Sequence, residues 1–121
     1  MPHVTEKLRH KVNKWASSAS MEAEELRETT AKSGCCLIEN ARDRGLVQLQ
    51  GSLRTVTLRP RGGVPALEAE LYDGSGVITV IWLGRRRIAG ISPGRQIQVQ
   101  GRIGTQDGMR VMFNPRYELR Y

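Results

Sequence analysis

The sequence predicts a mainly β protein, a β-barrel preceded by one or two N-terminal α-helices. In the first part of the chain, apolar residues recur at helical spacing. From Gly45 onward they alternate with a period of two, and turn-forming residues divide the chain into short segments. We therefore predict a helical extension over residues 1–40 and a β-barrel over residues 41–121, which together make a chain of 121 residues.

Two helices are predicted in the extension. Val4, Leu8, Val12 and Trp15 are four, four and three residues apart, which places them on one stripe of a helix. A second helix follows a serine-rich break, with Ser20 as its candidate N-cap. Because this second helix has few large apolar side chains, we expect it to lie loosely on the surface or to bind a partner.

Five strands are predicted in the barrel. The first is long, and its alternation changes phase near Arg54-Thr55, which is typical of a β-bulge. The other four lie around residues 67–71, 77–83, 97–103 and 109–113. A short helical turn is expected within residues 84–91. A bent first strand and an insertion after the third are the components of a five-stranded OB-fold Greek-key barrel, whereas an SH3-like barrel lacks the insertion.

The positive charge is confined to the predicted barrel. The formal net charge of the chain is +7, and residues 1–40 contribute none of it because six basic side chains balance six acidic ones. Residues 41–121 carry thirteen basic side chains, all of them arginine, and six acidic ones. The planar arginine fork matches phosphate oxygens, so a polyanionic partner is indicated. A genome biased towards arginine codons is the alternative interpretation.

No catalytic or metal-binding pattern is recognisable. Cys35 and Cys36 are adjacent, far from His3 and His10, and no zinc-ligand spacing occurs. We expect reduced cysteines with at least one packed as a small apolar group, no metal, no cofactor and no enzymatic activity. Without a long apolar run or a secretory signal, the sequence predicts a cytoplasmic protein that does not enter a membrane.

The turns and the chain end resemble a known group of domains. The matching pieces are Gly51, Asp73-Gly74-Ser75-Gly76, Pro93-Gly94, Gly101 and the segment from Asn114 to Leu119. With them, the chain from Leu53 to Tyr117 resembles the OB-fold group shared by tRNA-anticodon-binding domains and the wedge of RecG-type branch-migration helicases. The segments Val56 to Arg61 and Trp82 to Ile91 are similar to those of stand-alone actinobacterial OB-fold nucleic-acid-binding domain proteins.

The resemblance implies nucleic-acid binding without motor activity, since no GxxxxGK[ST] loop is present. OB-folds bind across strands two and three, between the loops that follow strands one and four. The candidate binding residues are the arginines around that face and one aromatic residue for stacking: Arg54, Arg59, Arg61, Tyr72, Arg85, Arg86, Arg87, Arg102 and Arg110.

Two features of the sequence argue against a deep binding groove. Glu68 and Glu70 share the face of Tyr72, where carboxylates repel phosphate, and the second loop, Thr105-Gln106-Asp107, is not basic. Trp82 is predicted in the core, and Phe113 and Tyr117 are predicted to pack at the barrel end.

The sequence therefore predicts a non-enzymatic module that binds nucleic acid through arginine–phosphate contacts. Single-stranded or junction DNA is favoured by the resemblance, and RNA is also compatible. The alternative is a protein-interaction module that uses the barrel face or the N-terminal helices, including a homodimer through the Val4/Leu8/Val12/Trp15 stripe.

Overall fold

The computed structural model describes residues 19–28 and 34–120. These residues form a mainly β structure with an α-helix, α1 (residues 19–28), and a short 3₁₀ helix at Ile38–Asn40. Seven strands follow: β1 (Leu46–Leu58), β2 (Ala66–Tyr72), β3 (Val77–Leu83), β4 (Gln96–Arg102), β5 (Gly104–Gln106), β6 (Met109–Phe113) and β7 (Arg116–Arg120). The predicted first helix, with its apolar stripe, lies outside the described residues.

The seven strands form one open mixed sheet in the order β5-β6-β3-β2-β1-β4-β7. β3 and β6 run parallel, and every other neighbouring pair is antiparallel. Because β4 returns to lie beside β1 after the β1-β2-β3 meander, these four strands have the Greek-key order. The mainly β class is thus confirmed.

The predicted five-strand count and closed barrel are not confirmed. Gly104–Gln106, which includes two residues of the predicted second loop, pairs with β6 as a short strand, and Arg116–Arg120 pairs with β4 as an additional edge strand. The second difference arises at Asn114, whose positive φ of 49° lets the chain turn back before Pro115. The sheet therefore has two free edges, β5 and β7.

The long first strand is bent where its alternation changes phase. Its first half pairs with β4, its second half pairs with β2, and the register shifts between Leu53 and Val56. This confirms the predicted bulge at Arg54-Thr55. At Gly51 a Cβ would lie 2.4 Å from the Tyr72 carbonyl oxygen, so the crossing of β1 past the end of β2 requires glycine.

The main core lies on one face of the sheet. It collects the inward side chains of β1 to β4 together with Ile38, and Ile97, Val99 and Ile103 are buried as predicted. Trp82 is also buried, and its Nε1 donates a hydrogen bond of 3.2 Å to the Pro115 carbonyl oxygen. Its predicted core position is confirmed.

The predicted helical turn within residues 84–91 is wrong. The segment is an irregular loop that contributes Ile88 and Ile91 to the main core. Gly84 and Gly90 have φ values of 75° and 83°, which a right-handed helix does not permit. The loop thus covers one end of the core through two apolar side chains.

The β2–β3 turn anchors the segment that enters the sheet. Asp73 is fully buried, and its Oδ2 accepts a 2.8 Å hydrogen bond from the Ile38 N–H. Its Oδ1 accepts hydrogen bonds from the Ser75 N–H, the Ser75 hydroxyl and the Gly76 N–H. One carboxylate therefore both closes the predicted hairpin and holds the 3₁₀ helix against it.

α1 lies against this hairpin at the surface, as predicted. Arg27 Nε donates a 3.0 Å hydrogen bond to the Gly74 carbonyl oxygen, and Met21 is exposed. Ser20 is itself helical, so it is not the N-cap predicted from the sequence. No helix within the described ranges is long and apolar enough to cross a membrane.

Replacing Asp73 with alanine removes the acceptor of four hydrogen bonds in the buried turn. We expect Asp73→Ala to lower the free energy of unfolding by about 3 kcal/mol, because buried donors lose a charged partner. Urea denaturation followed by circular dichroism measures this. The control is Asp43→Ala, whose side chain is 70% exposed and should change little. Similar unfolding midpoints for the two variants would show that Asp73 is not the anchor.

Candidate nucleic-acid interface

A groove of about 240 Å³ lies on the outer face of the sheet, between the β1–β2 loop and the β5–β6 hairpin. Its floor is formed by polar side chains of β1, β2 and β3: Thr55, Thr57, Glu68, Glu70 and Thr79. Its walls carry Arg59 and Arg61 on one side and Gln106, Asp107 and Met109 on the other. The β-bulge matters here, because without its phase change Thr55 and Thr57 would exchange faces with Val56.

Arg61 joins the two walls across the floor. One Nη donates a 2.7 Å hydrogen bond to Glu68 Oε1, and the other donates a 2.9 Å hydrogen bond to Gln106 Oε1. Arg59 Nε lies 3.5 Å from Glu68 Oε2. The side chain of Arg59 remains 71% exposed, whereas that of Arg61 is 31% exposed. Both predicted arginines therefore line the groove, and Arg59 is the more accessible one.

This network distinguishes the two acidic residues on the floor, Glu68 and Glu70, by their electrostatic surroundings. The sequence suggested that Glu68 and Glu70 would repel phosphate. Glu68 is only 13% exposed and is paired with two guanidinium groups, which compensate its charge. Glu70 lines the same groove, and among residues 19–28 and 34–120 no guanidinium group pairs with it. The non-basic second wall is also part of the groove, so its composition does not prevent a two-walled site.

Tyr72 and Arg54 lie together but outside this groove. Arg54 Cζ is 3.7 Å from the centroid of the Tyr72 ring, a cation–π contact. Both residues line a separate cavity of about 300 Å³ with Glu22 and Leu26 of α1. One face of the Tyr72 ring is therefore occupied by Arg54, and α1 borders this part of the surface.

The arginine run after β3 leaves the sheet at the same end as the β1–β2 loop. Ala66 and Leu83 are paired, and the Gly84 N–H donates a 2.7 Å hydrogen bond to the Pro65 carbonyl oxygen. Arg85, Arg86 and Arg87 are exposed. The structure thus brings two predicted basic segments, which are more than twenty residues apart, to one end of the sheet.

Arg102 and Arg110 are engaged with the backbone. Arg102 Nη1 donates a 2.6 Å hydrogen bond to the Arg44 carbonyl oxygen. The Arg110 guanidinium donates to the carbonyl oxygens of Ile38 and Ala41, and its Nε lies 3.9 Å from Asp43. Arg110 therefore fastens the segment around the 3₁₀ helix to β6, and its donors are already used.

The exposed aromatic residues differ from those expected. Phe113 and Tyr117 were predicted to pack at the barrel end, but their exposures are 43% and 39%. Tyr117 contacts Trp82 edge to face, with 5.7 Å between ring centroids, whereas Arg61 Cζ lies 5.9 Å from the Phe113 ring. Phe113 lies on the face of β6 opposite Met112, which is buried in the main core, and on the same face as Val111, which lines the groove. That alternation was the sequence signal that could have placed Phe113 near the groove.

Cys35 is buried, as predicted for at least one of the two cysteines, and Cys36 is partly buried. Within residues 19–28 and 34–120, no cluster of three or more histidine, cysteine, aspartate or glutamate side chains is placed to hold a metal ion.

No family model matches the chain, and no curated protein matches it. Among solved structures, the chain is similar to RecG bound to a three-way DNA junction, with a TM-score of 0.54 and 17% sequence identity. The match covers 69% of this chain and 12% of the RecG chain. It supports the predicted likeness to a RecG-type domain at the level of the fold. The likeness to anticodon-binding domains and to stand-alone actinobacterial proteins stays a prediction.

Arg110 and Arg85 allow a test of which arginines hold the fold. We expect Arg110→Gln to lower the free energy of unfolding by about 2 kcal/mol, because it leaves backbone carbonyl oxygens without their charged donor. Arg85→Gln changes the net charge equally at an exposed position and should leave stability nearly unchanged. Urea unfolding of both variants measures the difference. Equal stability of the two would contradict the structural role of Arg110.

Proposed function

We propose that the protein is a non-enzymatic OB-type module that binds nucleic acid in the groove between the β1–β2 loop and the β5–β6 hairpin. Single-stranded or junction DNA is the favoured ligand, and RNA is compatible with the same chemistry. The observation that carries the proposal is the groove itself, with Arg59 and Arg61 on one wall and a polar floor on β1, β2 and β3.

The strand order supports the OB-type interpretation. A single residue, Ile103, separates β4 from β5, and its side chain is buried in the main core. If β4 and β5 are counted as one strand bent at Ile103, the set β1, β2, β3, β4–β5 and β6 matches the five OB strands. The loop that follows β1 and the hairpin that precedes β6 are then the two loops that border an OB binding face. β7 is an addition to this set.

Arginine–phosphate exchange is the proposed binding mechanism. Arg59 is exposed, and its contact with Glu68 at 3.5 Å is a surface ion pair of small net energy. A phosphate that approaches the wall can accept from Arg59, and from Arg61 when it replaces Gln106 as the acceptor, while Arg61 keeps its hydrogen bond to Glu68. The arginine fork forms paired hydrogen bonds with phosphate oxygens. Binding should therefore depend strongly on salt and little on base sequence at this wall.

The Arg85–Arg87 segment extends the proposed surface. Its side chains are exposed at the end of the sheet where the β1–β2 loop also begins. We propose that a strand which leaves the groove at this end of the sheet contacts this segment. The DNA in the similar RecG structure is consistent with DNA as the ligand. Arg54 and Tyr72 lie outside the groove, in the cavity next to α1, and are secondary candidates.

Fluorescence anisotropy with labelled single-stranded, duplex and forked DNA, and with RNA of equal length, tests the proposal. We expect the double variant Arg59→Gln/Arg61→Gln to weaken binding. The slope of log K against log salt concentration should become shallower by about 1.5, since each lost phosphate contact removes about 0.7 to 0.9 from it. Arg85→Gln/Arg86→Gln/Arg87→Gln should also reduce the slope.

The matched control is Arg42→Gln/Arg116→Gln, which removes the same charge from exposed side chains outside the groove. This control should retain most of the affinity and slope. Equal losses in the two double variants would indicate a generic basic surface. That result would overturn the groove as the binding site and favour the protein-interaction hypothesis.

A further inference from the structure

Glu70 is the group on the groove floor that the proposed arginine–phosphate contacts do not use. It alternates on β2 with buried Ala69 and Leu71, pairs across the strands with Thr79, and lines the groove with Thr55 and Thr57. Within the described part of the chain, Glu70 forms no hydrogen bond or ion pair, unlike Glu68. The floor therefore presents one carboxylate whose acceptor capacity is unused.

A carboxylate at this position restricts what part of a nucleic acid can lie above it. It accepts hydrogen bonds and donates none, so a phosphate or a base carbonyl placed against it is repelled. The exocyclic amino groups of cytosine, adenine and guanine are donors that it can accept from. Thymine carries a carbonyl oxygen where cytosine carries its amino group. The two pyrimidines are thus of similar size and opposite polarity at this position.

The distribution of charge fixes the orientation of a bound strand. The cationic groups, Arg59 and Arg61, are on the wall, whereas the floor carries the Glu70 carboxylate and the hydroxyls of Thr55, Thr57 and Thr79. Phosphates are therefore favoured at the wall, and the bases of an unpaired strand turn towards the floor. Unpaired bases expose the edge that is hidden in a duplex, so a floor carboxylate can contact it.

We infer that Glu70 gives this groove a preference for single strands whose bases carry an exocyclic amino group, and specifically for cytosine over thymine. The inference rests on the proposed function, because it requires that a strand enters the groove. It adds a base preference to a site whose wall contacts carry no sequence information. The threonine hydroxyls beside Glu70 can donate or accept and so do not oppose either pyrimidine.

A pair of equal-length oligonucleotides, oligo(dC) and oligo(dT), provides the test by fluorescence anisotropy. The titrations are run at slightly alkaline pH, where cytosine carries no extra proton. We expect the wild-type protein to bind oligo(dC) about tenfold more tightly, the effect of a hydrogen bond to a charged acceptor against a repelled carbonyl. In Glu70→Gln the ratio should fall close to one, because an amide both donates and accepts.

Glu118→Gln is the matched control. It removes the same charge from an exposed side chain on β7, so it should tighten binding of both oligonucleotides equally and keep their ratio. Urea unfolding of both variants checks that the isosteric replacements preserve the fold. Because the readout is a ratio, a general electrostatic effect of losing one carboxylate cancels.

The ribose 2′-hydroxyl is another donor that a carboxylate can accept from. Oligo(rC) and oligo(rU) therefore form a second arm of the experiment. If base amino groups are the ligand, Glu70→Gln reduces the rC/rU ratio as it does the dC/dT ratio. If Glu70→Gln instead weakens both RNAs relative to both DNAs, Glu70 contacts the sugar and the inferred base preference is overturned.

Two further outcomes are distinguishable. Tight binding of oligo(dC) and oligo(dT) with a ratio near one in the wild-type protein would overturn the role of Glu70 and leave the proposed function intact. No binding of any oligonucleotide would overturn the proposed function, and the base preference with it.

Discussion

The structure depends on one strand that serves two partners. β1 pairs with β4 from Leu46 to Ser52 and with β2 from Ser52 to Leu58, and the register shift between Leu53 and Val56 lies within the pairing with β2. The bulge bends the strand and exchanges its faces. As a result, Leu49 and Leu53 point into the core before the bulge, whereas Thr55 and Thr57 reach the outer groove at and after it. Core and groove are consequences of the same local irregularity.

A second constraint is how the chain enters the sheet. Asp73, in the β2–β3 turn, accepts a hydrogen bond from the Ile38 N–H. Arg110, on β6, donates hydrogen bonds to the carbonyl oxygens of Ile38 and Ala41. Ile38 itself is buried in the main core. The 3₁₀ helix is thus fixed by opposite charges at its two polar ends and by an apolar side chain between them. Arg110 was predicted from the sequence as a ligand-binding residue, but the structure shows that it stabilises the fold by hydrogen bonds to the backbone.

The groove shows how an ion pair modifies the chemistry of a surface. Glu68 and Glu70 are the same residue type and lie two residues apart on one strand, so the sequence pattern places them on the same face. Tertiary contacts make them different, since Glu68 is enclosed by Arg59 and Arg61 while Glu70 lines the groove without an ion partner among the described residues. In the binding mode that we propose, Glu68 stabilises the arginine wall and Glu70 faces the bases of the bound strand. A charge count over the strand could not distinguish the two, because Arg61 reaches Glu68 only when the loop is folded.

The sequence by itself determined the local features. Alternation located the strands, the phase change located the bulge, and turn residues located the β2–β3 hairpin, because these depend on neighbours within a few residues. Only the tertiary structure decided the rest: the extra strands β5 and β7, the exposure of Phe113, and the separation of arginines into groove-lining, exposed and backbone-bound groups. These depend on pairings between segments far apart in the chain, such as Arg61 with Gln106 and Arg110 with Ile38, whose geometry exists only once the sheet has formed.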